Sequence, residues 1–335
     1  MVTQGRRHAA IIGLAGTHLS AAEAAMLRDT PPLGVILFAR NVGRPAQLRA
    51  LTAAIRETLG EDTPILIDQE GGRVARLRAP DWPAFPAAAS FEGRPAHNAF
   101  ANAALIGLEC RAMGLDVVCA PVLDLRLPEA HGVIGDRAFS ADPAEVTRLG
   151  REYLRGIQAA GCVPVIKHIP GHGRALADSH LELPRVGATR EELAQDCVPF
   201  AALAGLGAWA MTAHILYEAM DAALPATLSP KVIARVIRGA IGFQGFLISD
   251  DLAMKALVGR PAALAQASLA AGCDAVLHCT GDLDETAVLL ANCPRLTDAA
   301  IDRLAQARIA TNTHREDLDP AALMALRESA MVQAA

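Results

Sequence analysis

The stretch Lys167-His-Ile-Pro-Gly-His-Gly-Arg-Ala-Leu-Ala-Asp-Ser-His180 holds one lysine, three histidines and one aspartate within fourteen residues. It follows an apolar run, Cys162–Ile166, that reads as a buried strand. Titratable groups on a Gly-rich loop at a strand end are what acid/base chemistry needs. Asp178 two residues before His180 can fix the tautomer of that imidazole. The blander reading of the pair is a solvated loop. A second cluster, Ile248-Ser-Asp-Asp-Leu252, ends another apolar run. There Asp250 could project from the strand end and attack an anomeric carbon. An N-cap for the following helix is the alternative role. Strand alternation keeps Asp250 and Asp251 from pointing the same way, so each can hold one of the two roles.

Lys167 and His168 end their strand together. They could hydrogen-bond substrate hydroxyls, or Lys167 could form a Schiff base in the manner of an aldolase. His168, His172, Asp178 and His180 could also be read as metal ligands. Pro170, Gly171 and Gly173 keep His168 and His172 off a shared helix face, and no metalloprotease spacing is present, so no metal is expected. Ile65-Leu-Ile-Asp-Gln-Glu-Gly-Gly-Arg-Val-Ala-Arg76 starts as a strand and turns at two glycines. It places Asp68, Arg73 and Arg76 on one loop, a combination suited to charge-assisted bonds with sugar hydroxyls. Glu70 or Arg73 reads equally well as part of an internal ion pair. Arg137 adds a further cation ahead of Asp142-Pro143. Adjacent residues cannot form a serine-hydrolase triad, which removes Asp178-Ser179-His180 from that class.

These groups need a scaffold that gathers strand ends. Candidate strands are His8–Ala15, Gly34–Ala39, Pro64–Asp68, Asp116–Asp124, Cys162–His168, Trp209–His214, Phe246–Asp250 and Asp274–Cys279. Helical periodicity lies between most of them, over Gln47–Leu59, Asn98–Met113, Pro143–Ala160, Glu191–Leu203, Ser229–Ala240 and Ala262–Ala271. Two further helices follow, Asp284–Leu290 and Thr297–Ala310. Asp142-Pro143 and Ser229-Pro230 each read as a cap followed by proline at the first helical position. Alternating strands and helices predict a single α/β domain over residues 1–335, a (β/α)8 barrel of the TIM type; a doubly wound open sheet is the second possibility. The barrel is favoured because Asp68, Asp124, Lys167, His168, His214, Asp250 and His278 all fall at strand ends. Those ends converge on one face of a barrel.

The 335 residues are 52% hydrophobic, with a net charge of −5. No block of Lys or Arg suggests a nucleic-acid or anionic-membrane partner. No apolar run reaches the ~20 residues of a bilayer span. Seven cysteines without a Cys-x-x-Cys pair point to a reducing compartment rather than a disulfide framework. Arg6-Arg7-His8 ahead of Ala9–Ala15 imitates a short signal peptide, but no small-residue cleavage site follows. The run therefore reads as a first core strand, and the protein is expected in the cytoplasm.

In this order, Leu66-Ile-Asp-Gln-Glu-Gly-Gly-Arg-Val-Ala-Arg76, Ile134-Gly-Asp-Arg-Ala-Phe139, Lys167-His-Ile-Pro-Gly-His-Gly173, Asp178-Ser-His180 and Ser249-Asp-Asp-Leu-Ala-Met254 resemble the bacterial β-N-acetylglucosaminidases of glycoside hydrolase family 3, the NagZ type. One departure is Ile169, where phenylalanine is expected. The resemblance implies a retaining hydrolase without a cofactor. Its substrate would be N-acetylglucosamine linked β-1,4 to 1,6-anhydro-N-acetylmuramic acid, a muropeptide of cytoplasmic peptidoglycan recycling. It implies Asp250 as nucleophile, His180 as acid/base with Asp178 as its partner, and Asp68, Arg76, Arg137, Lys167 and His168 as sugar-binding residues. It also implies that the loop supplies the acid/base that many larger relatives draw from a second domain. A phosphorylase using the same histidine, a Schiff-base aldolase through Lys167 and a sugar-binding protein without turnover are the competing functions. Protein partners are not legible in the sequence.

Overall fold

The computed structural model describes residues 7–329; Met1 to Arg6 and the last six positions lie outside them, including Arg6 of the signal-like motif. Eight parallel strands close a barrel: β1 (His8–Gly13), β2 (Pro32–Leu37), β3 (Ile65–Ile67), β4 (Val117–Val118), β5 (Val163–Ile169), β7 (Trp209–Thr212), β9 (Leu247–Asp251) and β10 (Ala275–His278). Around the ring the order is β1-β10-β9-β7-β5-β4-β3-β2. Two very short strands, β6 (Arg185–Val186) and β8 (Leu216–Tyr217), pair outside the ring. The open-sheet alternative falls with ring closure through the β1–β10 pairing, where Ile11 faces Leu277.

The barrel strands are apolar on both sides because helices cover the outside and side chains fill the inside. Ile11, Val35, Leu66, Val165, Leu247 and Val276 are all buried. The signal-like apolar run is the first barrel strand. Behind it, the buried Arg7 guanidinium donates to the carbonyls of Leu33 and Leu59, both at 2.8 Å.

Helices α1 (Ala21–Asp29), α2 (Pro45–Leu59), α3 (Ala96–Ala112), α4 (Pro143–Ala159), α5 (Arg190–Leu203), α6 (Pro261–Ala271), α7 (Leu283–Asn292), α8 (Asp298–His314) and α9 (Pro320–Glu328) complete the described fold. Asp142 caps α4 as expected, accepting the Ala144 amide at 2.9 Å. No described helix is long and apolar enough to cross a membrane.

Helices α1 and α9 and the outer strands β6 and β8 were not anticipated in the sequence, and three predicted elements take a different form. The strand expected over Asp116–Asp124 is regular only at Val117–Val118. Beyond it, proline at 121 has no amide to donate, and the chain bonds β5 irregularly, with Lys167 N–H to Pro121 at 3.2 Å and Leu123 N–H to Lys167 at 2.8 Å. The helix expected over Ser229–Ala240 is π-helical at Val232–Ala240, and the Ile241 amide reaches back five residues to Val236. Asp274 precedes β10 rather than joining it. Its carboxylate accepts from Arg238, Arg303 and the Leu247 amide.

Candidate active site

The strand ends open into a cavity of about 400 Å³. The eight residues given catalytic or sugar-binding roles in the sequence all line it: Asp250, His180, Asp178, Asp68, Arg76, Arg137, Lys167 and His168.

One wall is an ionic network. Lys167 Nζ lies 2.9 Å from Asp68 Oδ1 and 2.6 Å from Glu70 Oε1. Arg76 reaches Asp68 Oδ2 at 3.1 Å, and Arg137 grips Glu70 with two bonds of 2.8 and 2.9 Å. Burial would raise the Asp68 and Glu70 carboxyls, but Lys167 with the arginines outweighs it and holds both below their ordinary values. Lys167 is held protonated: burial opposes its charge, and Asp68 and Glu70 more than restore it. Glu70 is thus the anticipated internal ion-pair member, and it also braces two predicted sugar-binding cations. Arg73 lies mostly outside this network, bonding Asp136 at 2.9 Å and the Val133 carbonyl at 2.6 Å.

His168 is fixed by Asp124. Its Nδ1 lies 2.7 Å from Asp124 Oδ2, while Asp124 Oδ1 accepts the amides of His168 (3.1 Å) and His172 (2.7 Å). Burial opposes charge on Asp124, but His168 and those bonds keep its carboxyl below the usual value. An ionised Asp124 makes Nδ1 the donor and leaves the far nitrogen, Nε2, for a ligand. The sequence offered only the end of an apolar run as a signal for Asp124.

His172, one of the residues that could be read as a metal ligand, is placed away from solvent. Its ring is buried edge-on to His168, with centroids 5.5 Å apart, and its Nε2 lies 3.2 Å from Ser179 Oγ. Burial, then His168, pushes its pKa down to about 4. Among the described residues, no three His, Cys, Asp or Glu side chains are grouped to hold a metal ion.

The two aspartates at the end of β9 divide their roles. Asp251 Oδ1 accepts the amides of Ala253 and Cys279, each at 3.0 Å, so it braces the turn after β9 and the end of β10; it caps no helix, since the next one, α6, begins only at Pro261. Burial raises its carboxyl. Among the described residues, the Asp250 carboxylate accepts only the Asp251 amide, at 2.8 Å. Burial opposes its charge too, but nearby His214 and His168, with that amide, hold it below the usual carboxylate range. It is an ionised carboxylate facing a polar cavity. His214 steadies the strand end, with Nε2 3.0 Å from the Asp251 carbonyl and Nδ1 2.7 Å from Thr227 Oγ1.

Asp178 and His180 meet on the loop after β5. Asp178 Oδ1 lies 2.7 Å from His180 Nδ1 and 2.9 Å from the His180 amide. The imidazole is 62% exposed, so its other nitrogen is free to reach a ligand from solvent. Gly173 lets the loop pass the neighbouring chain, since a Cβ there would stand 2.2 Å from the Leu125 carbonyl. Gly171, at φ +141°, has the backbone that other residues rarely adopt.

A family model described as the glycosyl hydrolase family 3 N-terminal domain matches residues 8–315. A β-hexosaminidase of Pseudomonas aeruginosa is 40% identical over 303 residues, 89% of this chain and 90% of that protein. One from Alkalilimnicola ehrlichii is 44% identical over 280 residues, 80% of each chain. Among solved structures, NagZ from Neisseria gonorrhoeae in complex with N-trifluoroacetyl-D-glucosamine superposes with a TM-score of 0.86. It is 30% identical, with 98% of this chain and 99% of that one covered. The protein is a (β/α)8-barrel glycoside hydrolase. It belongs to glycoside hydrolase family 3.

Proposed function

We propose that the protein is a retaining exo-β-N-acetylglucosaminidase that releases N-acetylglucosamine from 1,6-anhydro-N-acetylmuramic acid muropeptides in the cytoplasm. The observation that carries the mechanism is that Asp250 and the Asp178–His180 pair line the same cavity. The β-hexosaminidase relatives and the N-acylglucosamine derivative bound by the Neisseria protein support the sugar. The muropeptide and its recycling rest on the motif resemblance.

In the first step the Asp250 carboxylate attacks the anomeric carbon. The glycosidic oxygen takes a proton from His180 and leaves, and a glycosyl ester remains on Asp250. In the second, His180 takes a proton from water, whose oxygen displaces Asp250 and restores the β-anomer. Asp178 orients the imidazole. Asp68, Arg76, Arg137, Lys167 and His168 hold the sugar hydroxyls.

The ionic network weighs against the aldolase. A Schiff base needs a neutral amine, and Lys167 is held protonated between two carboxylates. Hydrolysis of a chromogenic β-N-acetylglucosaminide beside the matching glucoside, with and without phosphate, tests the proposal. The expected result is selective release from the N-acetylglucosaminide that phosphate does not accelerate. A phosphate-dependent rate with sugar phosphate as product would make the enzyme a phosphorylase.

A further inference from the structure

Outside the barrel, a groove of about 380 Å³ runs between α5 and the π-helical segment. That volume falls within the range of small-molecule sites. Its walls are apolar or small, with Val198, Met220 and Val236 among alanines. Three cations, Arg190, Lys231 and Arg235, line it, and no Asp or Glu does. Lys231 has a distant partner in Asp221 at 3.9 Å. Arg190 and Arg235 make no ion pair among the described residues.

An apolar trough lined by unneutralised cations is complementary to one kind of small molecule, an apolar chain that carries a single negative charge. The chain would displace water from the alanine and valine walls, and the charge would meet the arginines. We propose that this groove is a binding site for a small amphiphilic anion of the alkyl carboxylate class, separate from the sugar cavity. The proposal does not rest on the function proposed above.

Cys197 supplies a native reporter. Six of the seven cysteines are buried, and Cys197 alone is partly accessible and lines the groove. Its thiol donates to the Pro170 carbonyl at 3.7 Å, and burial pushes its pKa up to about 12, so its modification is slow enough to follow over hours. That bond also links the groove to the start of the His180 loop, which Pro170 opens.

The test is the rate of Cys197 alkylation by N-ethylmaleimide in the intact protein, read by peptide mass spectrometry. The six buried cysteines serve as internal markers of an intact fold. Decanoate at saturating, submicellar concentration should slow the modification about tenfold, as expected when most sites are filled. Decanol, with the same chain and no charge, should protect far less. Arg190→Glu with Arg235→Glu should remove the decanoate effect, read as the ratio of the rates with and without decanoate in that same variant. Three results would each overturn the proposal: no protection by decanoate, equal protection by decanol, or full protection in the charge-reversed variant.

Discussion

The carbonyl of Ser179 accepts the amide of Ala256 at 3.1 Å. Ser179 stands between Asp178 and His180, and Ala256 lies on the loop that leaves β9 just after Asp250. The proposed acid/base and the proposed nucleophile are therefore joined through one backbone bond. A second pin is the 3.2 Å contact of Ser179 Oγ with His172 Nε2. Ser179→Ala removes only the second pin. It should lower kcat on sugar leaving groups about tenfold with little change in KM, because small misplacements of a proton donor are costly in rate. An unchanged kcat would show that the Ala256 bond alone sets the register.

Asp250→Asn should abolish turnover and leave the melting temperature within a few degrees of wild type. The exchange is nearly isosteric and removes the ionised oxygen that attacks. A fluorinated N-acetylglucosaminide should leave its label on Asp250. A label on Asp251 would contradict the division of roles at the end of β9, where Asp251 is occupied by the amides of Ala253 and Cys279. If no enzyme adduct forms, the acetamido group is the nucleophile.

His180→Ala should slow departure of a sugar alkoxide by about 100-fold or more and a nitrophenolate far less, because a good leaving group departs without a proton. Asp178→Ala should show the same pattern at smaller amplitude, since it frees the imidazole held at 2.7 Å. Equal losses on both substrates, measured where the first step limits the rate, would remove His180 from the acid role.

The scaffold was legible in the sequence because it is local. Apolar runs marked all eight barrel strands, and Asp142 followed by proline marked the start of α4. The eight predicted site residues shared the property of ending a strand or lying on the loop after one, and the barrel brings such positions together. What the sequence did not show depends on partners distant along the chain. Asp124 becomes the brace of His168 only when β4 and β5 lie side by side, 44 residues apart in sequence. Glu70 holds Lys167 across the barrel mouth in the same way. His172 resembled a metal ligand because residue type alone does not report burial. The π-helical register of Val232–Ala240 likewise leaves no mark in a pattern that fits an ordinary helix.

The burial of His172 has a pH consequence with a definite sign. Its folded pKa is about 4 against an ordinary 6.5. Between those values the unfolded chain binds a proton that the folded one does not. Stability therefore falls as pH drops through that window, by about 1.4 kcal/mol per unit for one group. His172→Phe keeps a ring in the site and removes the titration. Its unfolding free energy in urea should depend less steeply on pH between 6.5 and 4 than that of wild type, by about one proton. Parallel curves would show that His172 titrates normally in the folded state. His214, also buried and lowered, contributes in the same direction to both proteins and cancels in the difference.

The loop from Pro170 to His180 should close on bound sugar, and its two ends should behave differently. Its first half is anchored. The Tyr217 hydroxyl donates to the Gly171 carbonyl at 2.7 Å, and Arg174 bonds Asp196 at 2.8 Å. Its second half is more open on either side of the pinned, buried Ser179, with Leu176 at 69% and His180 at 62% exposure, and Leu181 just beyond it at 65%. His180 must reach the glycosidic oxygen and then make way for water, so movement belongs in the second half, with Gly171 and Gly173 absorbing the backbone change. Hydrogen exchange with and without a tight N-acetylglucosamine-derived inhibitor separates the halves. Amides of residues 176–178 should exchange readily in the free enzyme, and those of 176–180 should gain the most protection on binding, while those of 171–174 change little. If 176–180 are already protected in the free enzyme and the inhibitor adds nothing, the loop is preformed and closure is not part of the cycle.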